Sequence, residues 1–290
     1  MKLNKKIIIA VSGGPDSMFL LNKYKHKNPI VAFVNYNQRT DSSKDQQIVE
    51  EYCEKYHLVL EKLILQKEDY QKGNFQKWAR DIRYDFFVEI SKKYGINFLL
   101  TAHHKDDFLE TCLFQTQKQK IVNYWGIKKY SKFKNLNIYR PLIFKLNKKS
   151  ILKFNIKNNI QFANDYTNEI PKYKRNQIRL ELKNKNLLYK EFLITKYRLK
   201  NIFLIFKKYS INKQIKIWKN NNYSQETFKF IKKQKQVLYF LINENFDDIK
   251  LSNSKLQSII DFIKSKNRTS VYKLSSVRYL KKIKGKVIFN

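Results

Sequence analysis

Two clusters in the chain carry residue types and spacings that chemistry needs. The first, Ser12-Gly13-Gly14-Pro15-Asp16-Ser17, stands between a short apolar run, Lys6–Val11, and a segment with helical spacing from about Ser17 to Tyr24. Adjacent glycines let the backbone approach a ligand and adopt dihedrals that other residues avoid. The N–H groups that open the following helix, with its dipole, favour an anion. Ser12 and Ser17 add hydroxyls that can donate to phosphate oxygens. Asp16 would repel phosphate unless a cation lay between them, which implies Mg²⁺. A strand–helix turn that used glycine for geometry alone would have no need of the serines and the acid. The loop is not a Walker A sequence, because the GK[ST] ending is missing.

The second cluster is His103-His104-Lys105-Asp106-Asp107-Phe108-Leu109-Glu110-Thr111, which follows a fourth apolar run at Asn97–Thr101. In open α/β sheets, ligands bind at the carboxyl ends of strands. Asp106, Asp107 and Glu110 fall in the opening turns of the next helix, with Asp107 and Glu110 three apart on one face. Acids at a helix start also suit its dipole; the adjacent histidines and the position favour a functional role. Arg80 and Arg83, three apart, and Arg175 and Arg179, four apart, are pairs suited to gripping phosphate or carboxylate. Solvated basic faces are the commoner use of such pairs. Cys53 and Cys112 sit within helical apolar patterns, which predicts core packing. Two cysteines without a CxxC make neither a disulfide scaffold nor a four-ligand zinc site.

The elements that must position these clusters alternate. Lys6–Val11 and Ile30–Val34 read as buried strands, and Leu58–Leu65 and Asn97–Thr101 as a third and a fourth strand. Between and after them, Asp41–Tyr56, Phe75–Tyr94, Asp106–Gln117 and Lys148–Asn158 read as helices. The fold class this predicts is α/β, a doubly wound, mostly parallel sheet. After about Leu182 the alternation stops, Gly285 is the only glycine, and the acids reduce to Glu191, Glu226, Glu244, Asp247, Asp248 and Asp261. Apolar residues at helical spacing, Leu199, Ile202, Phe203 and Phe206, then Phe228, Ile231, Leu238 and Leu241, predict a smaller, mostly helical, basic domain. Val277–Phe289 reads alternatively as a hairpin turned at Gly285. The expected division is therefore 1–182 and 183–290.

Composition sets the partner class. The chain has 290 residues and 60 Lys+Arg against 24 Asp+Glu, a formal charge of +36, with 42% hydrophobic and 15% aromatic residues. That apolar content excludes a disordered basic tail. The charge points to nucleic acid or an anionic surface, although Lys, Asn, Ile, Phe and Tyr all have A/T-rich codons. No apolar run approaches the ~20 residues that span a bilayer, and the apolar stretch after Met1 is too short for a signal peptide. A cytoplasmic protein is expected; the oligomeric state is not readable.

The loop SGGPDS resembles the SGGxDS loop of the ATP pyrophosphatases, which bind the pyrophosphate of ATP and release it while adenylating a substrate. HHKDDFLET resembles the HHxDDQxET motif of one branch, the tRNA(Ile)-lysidine synthetases, with Phe108 in place of Gln. Val34-Asn35-Tyr36-Asn37-Gln38-Arg39 is similar to that branch's VNHGLR, keeping Asn35 and Arg39. Gly73-Asn74 with Ala79-Arg80-Asp81-Ile82-Arg83-Tyr84 resembles its GN…ARxxRY. Asp165-Tyr166-Thr167-Asn168 with Arg175-Asn176-Gln177-Ile178-Arg179 resembles its DxSN…RNxIR. The matches run in the family's order from residue 6 to about 182.

The resemblance implies an adenine nucleotide alpha hydrolase-like fold and a ligase. It would join free L-lysine to C2 of the wobble cytidine of tRNA(Ile) with a CAU anticodon, through an adenylated cytidine, releasing AMP and pyrophosphate. It further implies ATP held by Ser12, Gly13, Gly14, Pro15, Asp16, Ser17, Asn35 and Arg39, and Mg²⁺ at Asp16. Catalysis would fall to Asp16, Asp106, Asp107 and Glu110. Substrate or phosphate contacts would come from Arg80, Arg83, His103, His104, Thr111, Arg175, Asn176 and Arg179, with tRNA contacts from the basic domain. Another ATP pyrophosphatase, such as a tRNA thiolase, and a non-catalytic basic RNA-binding protein are the alternatives at this point.

Overall fold

The computed structural model describes residues 6–38, 42–118, 121–163, 174–246, 249 and 251–289. The chain forms two compact units, 1–114 with 126–194, and 115–125 with 195–290. The first begins with β1 (Ile8–Val11), α1 (Pro15–Tyr24), β2 (Ile30–Asn35), α2 (Ser42–Lys55), β3 (Leu60–Ile64), α3 (Phe75–Tyr94), β4 (Phe98–Leu100) and α4 (Lys105–Gln117). β5 (Tyr130–Phe133), β6 (Leu136–Tyr139), α5 (Lys148–Lys157) and α6 (Lys174–Lys183) follow.

The sheet order is β3-β2-β1-β4-β6-β5, parallel except for β5 against β6. β1 is central because its β-branched run has no face for water: Ile7, Ile8 and Ile9 are 0% exposed. Ile7, Ile9 and Val11 pack with Met18 and Leu20 of α1, Val49 of α2 and Ile151 of α5. Ile8 points the other way, among Tyr84, Phe87 and Ile90 of α3. Helices thus cover both faces, as the alternation predicts. The chain steps from β1 outward through β2 to β3, then returns to place β4 on the other side of β1. The carboxyl ends of β1 and β4 therefore flank the switch point, where a doubly wound sheet leaves a crevice. The two clusters follow those two strands.

The β5–β6 hairpin is not legible in the sequence. Its turn uses Lys134, with φ +50°, rather than the Asn-Gly pair such turns favour. Stacked rings of Tyr130 and Tyr139, with centroids 4.8 Å apart, clamp its open end.

In the second unit lie most of α7 (Leu187–Asn220), then α8 (Gln225–Lys229), α9 (Gln234–Asn245) and α10 (Asn253–Lys264), with β7 (Ser270–Lys273), β8 (Tyr279–Ile283) and β9 (Lys286–Phe289). The strands form an antiparallel sheet in the order β7-β8-β9. The hairpin turned at Gly285 is thus present, with β7 added to it. Trp218, Phe228, Leu238, Leu241, Ile259 and Leu280 form its core. The helical spacing of Leu199, Ile202, Phe203 and Phe206 does mark a helix, but these side chains are 50–70% exposed. Among the described residues no helix is long and apolar enough to cross a membrane.

Lys282 on β8 is fully buried. Its ammonium donates to the carbonyls of Phe262 and Ser265 and to Ser265 Oγ, at 2.8, 3.3 and 2.8 Å. It therefore closes the C-terminal end of α10, where carbonyls lack helical partners and a cation suits the dipole. Burial pushes its pKa down. Lys282→Met should cost about 1 kcal/mol, because the Ser265 carbonyl loses the ammonium while the Phe262 carbonyl keeps the Ser265 hydroxyl at 2.9 Å. Urea unfolding of the full chain measures this, and an unchanged midpoint would remove the capping role.

Candidate active site

The site begins with the turn after β1. Gly13 has φ +77°, and a Cβ there would stand 2.8 Å from the Asp45 carbonyl oxygen, so only glycine fits. Gly14 ends the turn and Pro15 opens α1, where a missing N–H costs nothing. The buried Asn155 side chain donates to the Pro15 carbonyl at 2.8 Å. Ser17 Oγ accepts from the Ser12 N–H at 3.1 Å and donates to the Gly14 carbonyl at 2.8 Å. The loop is thus braced from within. Gly13→Ala must move this backbone and should destabilise the chain by about 1–3 kcal/mol, as overpacking does. An unchanged urea midpoint would show that the loop tolerates a side chain.

A cavity of about 260 Å³ lies at the switch point. Ala10, Val11, Ala32 and Val34 from the strands, with Tyr84 and Phe87 of α3, make an apolar slot; Ser12, Asp16, Ser17, Thr101, His103 and Asp107 make its polar side. Gly14, Arg83 and Tyr36 also line it. A flat heterocycle fits such a slot, with charged groups leaving over the loop.

The adjacent histidines take opposite states. His104 is buried, and its ring nitrogens lie 3.5 Å from carboxylate oxygens of Asp16, Asp106 and Asp107. Burial pulls its pKa down, but Asp107, Asp16 and Asp106 outweigh it and push it up to about 9. His103 is pushed down to about 4, by burial first and by the nearby Arg140 and Arg83, despite Asp107. Thr101 Oγ1 is 2.9 Å from its Nδ1. An imidazolium thus braces the carboxylates from behind, while a neutral imidazole faces the cavity.

The acids diverge. Asp107 accepts the His104 N–H at 2.9 Å and lines the cavity. Asp106 accepts the Lys148 N–H at 2.8 Å and so holds the start of α5; Lys190 is 3.6 Å away. Glu110 is buried and bound bidentately by Arg179, Nε to Oε1 at 2.9 Å and Nη2 to Oε2 at 3.1 Å. Asp16 receives the Lys148 ammonium on Oδ2 at 2.7 Å, while its buried Oδ1 makes no hydrogen bond and faces His104 Nε2 at 3.5 Å. Burial would raise the Asp16 pKa, but His104 and Lys148 hold it below the usual carboxylate range.

Several expected residues stand outside the cavity. Asn35 is buried and shapes the turn after β2, accepting the Asn37 N–H at 2.9 Å. Thr111 Oγ1 donates to the Asp107 carbonyl at 2.8 Å. Arg80 is exposed and lies over the Tyr84 ring, 5.1 Å from its centroid. Asn176 is half-buried on α6. Arg39, Asp165–Asn168 and the side chain of Arg175 lie outside the described residues. Phe108 is fully buried, edge-on to Phe144 at 5.1 Å. Tyr36 donates its hydroxyl to the Ala79 carbonyl at 2.7 Å. Both cysteines are buried, and burial pushes the Cys53 thiol up to about 12. Sequence reasoning missed Lys148, since nothing local ties it to Asp16, 132 positions away.

The family model for the PP-loop domain matches residues 2–186. The tRNA(Ile)-lysidine synthase of Mesomycoplasma hyopneumoniae is 38% identical over 289 residues, covering 99% of this chain and 97% of that one. The chain belongs to the tRNA(Ile)-lysidine synthase family. A second family member, from Mycoplasmopsis pulmonis, is 42% identical over 279 residues, with 96% of each chain covered. Among solved structures, the U34-tRNA thiolase NcsA from Methanococcus maripaludis superposes with a TM-score of 0.53 at 16% identity, covering 68% of this chain and 72% of that one. That likeness is one of fold. Within the lysidine synthase family, the SGGPDS loop and the HHKDDFLET segment of this member meet at one cavity, on the two strands that flank the switch point.

Proposed function

We propose that the chain ligates free L-lysine to C2 of the wobble cytidine of tRNA(Ile) with a CAU anticodon, at the expense of ATP. The observation that carries this reading is the meeting of the Ser12–Ser17 loop with Asp107 and His103 at one cavity, in a lysidine synthase family member. Adenine would occupy the apolar slot and the phosphates would lie over the loop N–H groups. The cytidine C2 oxygen attacks the α-phosphorus, forming an O–P bond as the bond to pyrophosphate breaks. Loop donors and the Lys148 ammonium stabilise the charge that develops on the departing group. The lysine ε-amine, with an ordinary pKa of about 10.4, must lose a proton before it attacks C2. The C2–O bond then breaks and AMP leaves with the oxygen. Asp107 is the acid best placed to orient the ammonium or take its proton, because Asp106 and Glu110 are engaged elsewhere. The Asp16 carboxylate, whose Oδ1 has no donor nearer than His104 Nε2 at 3.5 Å, fits a Mg²⁺ that arrives with the triphosphate. Such an ion would neutralise phosphate charge. Among the described residues no group of three or more His, Cys, Asp or Glu could hold it alone.

In this reading residues 1–182 adenylate and residues 183–290, basic and poor in acids, bind the tRNA in the cytoplasm. Release of AMP that requires tRNA and lysine together, with lysine incorporated into the tRNA, is the expected result. RNA binding without AMP release, or sulfur transfer, would overturn it.

A further inference from the structure

A larger cavity, of about 680 Å³, opens in the second unit beside the end of α7 and the β8–β9 hairpin. Lys219, Lys284 and Lys286 line it together with Asn222, Tyr223 and Phe289. The three lysines are exposed and form no ion pair with any described residue. The rings of Tyr223 and Phe289 lie 5.3 Å apart at 71°. Tyr223 is also edge-on to the buried Trp218, at 5.3 Å, which fixes its ring.

The backbone here is held in a costly form. Asn222 and Tyr223 both have φ +52°, a left-handed conformation that a bulky residue rarely takes and that clusters at functional sites. It persists because the Tyr223 N–H donates to the Trp218 carbonyl at 2.9 Å and the Tyr223 carbonyl accepts the Val287 N–H at 3.0 Å. The ring is thereby delivered, half-buried, to the cavity wall.

Aromatic rings beside unpaired ammonium groups are how proteins hold unstacked nucleotides: the ring takes the base and the cations take the phosphates. We propose that this cleft binds an unpaired nucleotide of the RNA, its base against Tyr223 and Phe289 and its phosphates on Lys219, Lys284 and Lys286. A duplex cannot use it, because its base faces are already stacked. Glu244 is the described acid whose field reaches Tyr223, and three cations outnumber it. The inference rests on the proposed function only in taking RNA as the partner.

The test uses the full chain and a fluorescent single-stranded hexaribonucleotide, followed by anisotropy at several salt concentrations. Lys219→Ala with Lys286→Ala should weaken binding about tenfold and flatten the salt slope by about 1.4, twice the ~0.7 expected per neutralised phosphate of a single strand. Lys264→Ala with Lys266→Ala, exposed lysines outside the cavity, should change it far less. Equal weakening by both pairs would reduce the effect to net charge and overturn the site. So would equal loss for a blunt RNA duplex. Displacement of the hexamer by a nucleoside monophosphate, lost in the cavity variant alone, would assign the cleft to a free nucleotide instead. With tRNA, the cavity variant should raise KM and spare kcat. Binding does not depend on ligation, so a wild type that made no lysidine would refute the ligase and leave this test standing.

Discussion

Asp107→Asn should lower lysidine formation between about 10² and 10⁴-fold, the range that a positioned acid or base contributes, while the melting temperature stays near that of the parent. The Asp107 charge is one of three that hold His104 protonated, and Asp16 and Asp106 remain in the variant; the carboxylate has two further jobs. It accepts the His104 N–H at 2.9 Å, and an asparagine oxygen can accept the same bond. It also supplies a negative charge at the cavity wall beside His103 and Asp16, and asparagine cannot. If the charge orients the lysine ammonium or removes its proton, the step after adenylation is the one that fails. Adenylated tRNA should then accumulate in the presence of lysine, detectable by radiolabel from ATP. A normal ligation rate in this variant would sink the role. A loss confined to adenylation would move Asp107 to the ATP half-reaction, and parallel losses of rate and stability would mean the charge chiefly balances His104.

The first unit was legible where sequence and structure share a period. The apolar runs at Lys6–Val11 and Ile30–Val34 are short because parallel strands covered by helices are short. Ser12–Ser17 was legible because glycines are scarce in this chain and one position, at φ +77° against the Asp45 backbone, admits no other residue. What the sequence could not show was direction. Asp106, Asp107 and Glu110 look equivalent on a helical projection, yet α5, the cavity and Arg179 draw them apart. Adjacent histidines look alike, yet three carboxylates surround one and arginines stand near the other. Lys148 reaches Asp16 through tertiary folding alone. The apolar spacing in α7 does mark a helix, but periodicity reports a face and not what covers it, and Phe203 is 70% exposed. The β5–β6 hairpin stayed hidden because Lys134 carries a backbone that glycine or asparagine usually signals.

Glu110→Gln is expected to act on stability where Asp107→Asn acts on rate. The Glu110 side chain is 4% exposed and the Arg179 side chain 37%, so the pair fastens α6 to α4 across a boundary water barely reaches on the acid's side. Glutamine keeps the volume and one acceptor but removes the charge that the guanidinium binds bidentately, leaving Asp107 and Asp16 as the acids in its field. Breaking a buried pair from one side costs roughly 3–5 kcal/mol. The lower end applies here, because Arg179 keeps part of its hydration. About 3 kcal/mol corresponds to a fall in melting temperature of roughly 6–12 °C for a unit of this size. Below that transition, ligation should run at close to the parent rate, since neither group lines the cavity. Replacing both partners together, Glu110→Met with Arg179→Met, should recover much of the loss, as exchanging a whole buried pair for apolar side chains of similar volume is often near neutral. A Glu110→Gln protein that melts like the parent yet fails to ligate would place Glu110 in the chemistry instead. The bidentate geometry, with both carboxylate oxygens already bound at 2.9 and 3.1 Å, is the reason to expect otherwise.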